Sequence, residues 1–92
     1  MARRDKLLQR MRNNPRTVSM RDLQVVLESF GFELARIKGS HHVFVGEIDG
    51  EGVTLVIPLR KPHVKAGYVR EVLELIDKIL AEEGDDDGSE DA

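Results

Sequence analysis

Apolar positions Leu7, Leu8 and Met11 fall at i, i+1 and i+4 among basic neighbours, the spacing of one helical face, which predicts a helix over 4–13. Asn-Asn-Pro-Arg-Thr then interrupts it, because Pro15 disfavours helical backbone at Asn14. From Ser19 the helical pattern returns more strongly. Met20, Leu23, Val26, Leu27 and Phe30 form one stripe, Ser19 is placed to cap it with Asp22 three residues on, and Gly31 stands where a glycine ends a helix.

After Gly31 the period shortens to alternation. Phe32, Leu34 and Arg36 are expected on one face of a strand, with Glu33, Ala35 and Ile37 on the other. Lys38-Gly39-Ser40 makes a turn, His41 to Ile48 reads as a second strand, and Asp49-Gly50-Glu51-Gly52 as a hairpin connection. Val53 to Leu59, rich in β-branched residues, is a third strand. Arg60 to Gly67 is a loop, and a closing helix over 68–83 carries Val69, Val72, Leu73, Ile76, Ile79 and Leu80 as its stripe.

These elements imply an α+β class: a compact α-β-β-β-α domain with an extra N-terminal helix. A three-stranded antiparallel sheet with the helices on one face buries all the stripes and leaves the other sheet face open. The chain divides into a basic helical extension (1–18), the domain (19–82) and an acidic tail (83–92) whose Gly, Ser and acid content predicts disorder.

Composition narrows the chemistry. At 92 residues the chain suits one small domain with a shallow site rather than a deep pocket. It has no cysteine, so disulfides and thiolate metal centres are excluded. No apolar run is long enough to span a bilayer and no secretory signal opens the chain, so a cytoplasmic location is expected. The net charge of −3 conceals segregation: seven of the 17 acids lie between Glu82 and Asp91, and the ten others face 14 Lys and Arg. A basic body suits a polyanionic partner.

The three histidines are unequal. Alternation puts His41 on one face with Val43 and Val45, and His42 on the other with Phe44. Phe44 belongs in the core, so His41 is expected on the open face and His42 nearer the helices or the strand end. A metal site is not expected, because adjacent strand residues diverge and no third ligand completes a set. His63 lies among Arg60, Lys61 and Lys65, a loop that reads as a solvated basic surface or as a phosphate-contacting patch leading into the last helix. There is no GxSxG elbow and no phosphate-cradling glycine motif.

The ordered set of a helix ending in Gly31-Phe32, a short strand, Gly39-Ser40-His41 opening the next strand, and Lys65-Ala66-Gly67 opening the last helix resembles the HicA (YcfA-like) family of toxin–antitoxin mRNA interferases over roughly residues 19–80. The resemblance implies a double-stranded-RNA-binding-like fold, cleavage of messenger RNA, and control by a HicB-type antitoxin bound over the active face. It implies no cofactor, membrane or DNA by itself. The family's essential histidine follows Gly-Ser and falls on His41. Lys38, Gly39, Ser40, Arg60, Lys61, His63, Lys65 and Gly67 are the expected RNA contacts. The basic extension and the acidic tail depart from the family pattern.

Metal-independent cleavage of RNA needs a proton acceptor at the 2′-hydroxyl, a donor at the leaving 5′-oxygen, and positive charge at the phosphate. An imidazole, with an ordinary pKa of ~6.5, serves either proton transfer near neutrality. His41 is the expected acid or base, with Lys38, Arg60 or Lys65 stabilising phosphate charge. The rival is a non-catalytic double-stranded-RNA-binding module, which would use the same fold and loop bases and be indifferent to His41.

Overall fold

The helix signals translate into local hydrogen bonding that can be followed residue by residue. The computed structural model describes the backbone of residues 3–91 and the side chains of residues 4–82. Helix α1 is Arg3–Asn13, a single 3₁₀ turn covers Pro15–Thr17, and helix α2 is Met20–Ser29. The Ser19 hydroxyl accepts the Asp22 N–H at 3.1 Å, the expected N-cap. The other half of the capping box is not made: the Asp22 carboxylate instead takes Arg10 of α1 at 2.6 Å. At the far end Gly31 has φ 92, Phe32 N–H donates to the Leu27 carbonyl at 3.0 Å and Gly31 N–H to the Glu28 carbonyl at 3.1 Å. This Schellman arrangement turns the chain sharply and drops Phe32 into the core.

Three antiparallel strands follow in the order β1 (Glu33–Lys38), β2 (His41–Ile48), β3 (Glu51–Pro58). Helix α3, Ala66–Asp91, closes the chain. It starts two residues before the sequence expectation. Its backbone is helical to Asp91, while the expected disordered tail falls on residues whose side chains lie outside the described set. No helix among the described residues is long and apolar enough to cross a membrane.

The β1–β2 register corrects one expectation. A bulge lies between Leu34 and Arg36, so Leu34 opposes Phe44 but Arg36 opposes Val43. Strict alternation would have buried Arg36 beside Phe32 and Leu34, where an unpaired guanidinium is costly. One extra residue turns it onto the open face. Ile37 consequently opposes His42 rather than sharing the open face with Glu33, and remains 56 % exposed at the sheet edge.

The core lies between one sheet face and the helices: Phe44 and Ile57 from the sheet meet Leu23, Val26, Val69 and Val72 in one buried cluster. Phe32 lies so close to Gly46 that a β-carbon there would come within 2.7 Å of the ring. The N-terminal extension is built into the same core through Leu8, Met11 and Val18. It is fastened at its surface by Arg12 to Asp77 of α3 at 2.7 Å and by Arg4 stacked 4.4 Å over the Phe30 ring.

Candidate functional site

The β1–β2 connection sets the first group of site residues. Gly39 has φ 61 and Ser40 does not share the positive φ, the type II′ pattern that requires glycine at its first central position. The turn delivers His41 as the first residue of β2, in register with Lys38 on one side and Pro58 on the other. Antiparallel partners share a face, so Lys38 and His41 stand together on the open side of the sheet. Both are exposed, as are Gly39 and Ser40. The Ser40 carbonyl accepts the Leu59 N–H at 2.6 Å, which ties this turn to the end of β3 one residue before Arg60.

The two histidines separate as their alternation requires. His41 is exposed, whereas His42 is 8 % exposed and opposes Ile57 on the core side. Its Nδ1 is buried with no hydrogen-bond partner among the described residues. Of these two, only His41 presents its imidazole to solvent.

Next to His41 the open face carries valines, with Arg36 opposite Val43. Val43, Val45 and Val56 line it, Val45 being 36 % and Val56 47 % exposed. Further along the sheet the charge reverses: Glu47 lies on the open face and Asp49 in the turn, while Glu51, opposite Ile48, shares the core-side register. The open face thus carries Lys38 and His41 at one end, valines flanked by Arg36 and Glu33 in the middle, and Glu47 at the other end.

The β3–α3 loop supplies the second group. Arg60, His63, Lys65, Ala66 and Gly67 line an open pocket of about 400 Å³ at the start of α3. Lys61 is exposed in the same loop but outside the pocket lining. The Val64 N–H donates to the Val18 carbonyl at 2.8 Å, and both side chains are buried, so the loop is pinned between His63 and Lys65. The expected residues therefore form two clusters, Lys38 to His41 on the sheet and His63 to Gly67 at α3, with Arg60 between them in sequence. The pocket also contains a residue that sequence reasoning missed, Arg16 of the 3₁₀ turn. No local pattern links position 16 to position 63. Among the described residues no group of three His, Cys, Asp or Glu is placed to hold a metal ion.

Comparison with known protein families gives a match. The family described as HicA toxin of bacterial toxin-antitoxin matches residues 20–77, from the start of α2 into α3. No curated protein and no solved structure matches the chain.

Proposed function

The chain belongs to the HicA toxin family, the toxins of bacterial toxin–antitoxin systems, and on that premise we propose that it binds and cleaves messenger RNA with His41 as the acid–base residue. The observation that carries this reading is the position of His41: exposed, on the open sheet face, directly beside Lys38 and tied through Ser40 to the strand end that leads into Arg60. A proton-transfer group next to fixed cations on a solvent-facing surface is what phosphodiester cleavage of a long polymer requires.

In the cleavage step the ribose 2′-oxygen attacks phosphorus, its proton leaves, and the bond to the 5′-oxygen breaks as that oxygen gains a proton. His41 takes the first proton or gives the second. Lys38 stands on the same face to offset the charge on the non-bridging oxygens, with Arg60 and Lys65 extending the positive surface along the strand. The turn Gly39-Ser40 leaves the backbone bare beside His41, so the RNA can approach closely. Lys61 and His63 add charge to the path, and Gly67 keeps the start of α3 uncovered.

The antitoxin partner belongs to the same reading. A HicB-type protein that seats on Val43, Val45 and Val56 would cover exposed apolar surface and occlude His41 in one act.

Replacing His41 with Ala tests the catalytic assignment. The variant is expected to keep its melting temperature and to lose about 10²–10⁴-fold in RNA cleavage. A folded His41→Ala protein that cleaves at the wild-type rate removes His41 from the mechanism. RNA binding with no cleavage by the wild type points instead to a double-stranded-RNA-binding module.

A further inference from the structure

The basic residues of the N-terminal extension are not equivalent. Arg4 stacks on Phe30, Arg10 pairs with Asp22, and Arg12 pairs with Asp77. Each of these cations fastens the extension to the domain. Arg16 does not: it is exposed, lines the pocket at the start of α3, and has no acidic partner among the described residues.

The pocket it enters is unbalanced in charge. Arg16, Arg60, His63 and Lys65 line it and no acidic side chain does. Neither salt bridge among the described residues involves any of the four. Three separate segments, the 3₁₀ turn, the end of the β3 strand path and the α3 entry, bring these side chains around one concavity of about 400 Å³. Cations held this close without counter-charge repel one another, and an anion relieves that repulsion. The first turn of α3 contains no acidic residue either, so the positive end of its dipole adds to the same field.

The placement of Arg16 is fixed rather than incidental. Thr17 N–H donates to the Asn14 carbonyl at 3.1 Å, closing the 3₁₀ turn, and the Val18 carbonyl accepts the Val64 N–H at 2.8 Å. Buried Val18 and Val64 anchor both ends of that bond. Arg16 is two residues from one anchor, His63 and Lys65 flank the other, and so the extension and the loop cannot drift apart without breaking core contacts.

We infer that Arg16, Arg60, His63 and Lys65 form a phosphate-binding site, and that its ligand is a backbone phosphate of the RNA strand that passes over His41. The chemistry selects a phosphodiester: a guanidinium offers paired donors to phosphate oxygens, and Lys65 adds a point charge. This rests on the RNA reading of the site and deepens it, because it makes the extension, which lies outside the family-matched residues 20–77, part of the substrate surface. A phosphate held here fixes the register of the strand without reading its sequence.

The test measures binding rather than cleavage. A single-stranded 2′-O-methyl RNA cannot be cut through its 2′-oxygen, so its affinity is readable whether or not the chain is a nuclease. For Arg16→Ala we expect affinity to fall about 3–10-fold, to a similar extent for unrelated sequences, with the slope of log K against log salt reduced by about 0.7. Arg16→Lys should recover part of the loss, and Arg21→Ala, an exposed cation on α2 outside the pocket, should bind as wild type. A second arm titrates inorganic phosphate and follows the amide signals of Ala66 and Gly67. Saturable shifts in the wild type that disappear in Arg16→Ala support the site. Phosphate binding with RNA affinity unchanged by Arg16→Ala overturns the RNA ligand in favour of a free anion. Unchanged RNA affinity together with no phosphate response overturns the site altogether. None of these outcomes depends on His41, so a failed nuclease assignment and a failed phosphate site remain distinguishable.

Discussion

The two hairpins of the sheet share a construction and differ in charge. Each has a two-residue connection that depends on left-handed backbone, Gly39 with φ 61 in one and Asp49 and Gly50 with φ 55 and 79 in the other. Asp49-Gly50 has positive φ at both central positions, the type I′ pattern, while Gly39-Ser40 has it only at the first. Around the first turn stand Lys38 and His41, with Arg60 beyond the strand joined to it through Leu59. Around the second stand Glu47, Asp49 and Glu51. Turn chemistry is therefore a matter of closing the sheet, and charge decides which end can receive a polyanion. On the proposed reading, RNA is drawn to the Gly39 end of the sheet and repelled from the Asp49 end.

The largest effect short of removing His41 should come from reversing charge at the basic end. Arg60→Glu combined with Lys65→Glu is expected to weaken RNA binding by about 10²-fold, since two phosphate contacts become repulsions. The opposite change at the other end of the open face, Glu47→Lys, should leave binding unchanged or improve it a few-fold. Equal losses at both ends, in a filter-binding titration at fixed salt, would abolish the distinction between them.

The apolar middle of the face can be separated from both ends. Val56→Glu places an unpaired carboxylate where the antitoxin is proposed to seat. It should lower antitoxin affinity by roughly 30-fold or more, as expected for a residue central to an interface, while RNA cleavage persists. Calorimetry with the purified antitoxin and a parallel cleavage assay read the two effects. Neutralisation by antitoxin at wild-type concentration would move the docking surface elsewhere.

The smallest differences concern stability, and two glycines separate the packed core side of the sheet from the exposed start of α3. Gly46→Ala forces a β-carbon to within 2.7 Å of the buried Phe32 ring, and is expected to destabilise the protein by about 1–3 kcal/mol. At Gly67 an added β-carbon meets nothing within 4 Å, and the backbone is not left-handed. Gly67→Ala should stabilise by about 0.5 kcal/mol through the unfolded chain. Urea denaturation of the two variants decides whether the core-facing side of the sheet is as tightly packed as its geometry indicates.

Much of this architecture was written locally. Ser19, Gly31 and the 20–30 stripe specified α2 and both its ends, because caps and helical periodicity are settled within a few residues. Alternation in His41–Phe44 assigned opposite faces to the two histidines, since side chains on a strand have no other choice. The same rule failed at Arg36. A bulge is decided by how β1 meets β2, so no count along β1 alone reveals it. Family resemblance reached the segment that carries His41 and Lys65, yet it could not reach Arg16, which lies before the matched residues.

By itself, then, the sequence determined which segments form the main helices and strands, both ends of α2, and that His41 faces away from the core. Those are consequences of hydrogen bonds and side-chain directions that span at most a few residues. Tertiary structure alone decided that Phe32 packs on Gly46, that Arg36 turns outward, and that Val18 bonds to Val64 and brings Arg16 to the mouth of α3. Each of these joins positions far apart in the chain, and their meeting depends on the packing of the whole core rather than on any local preference.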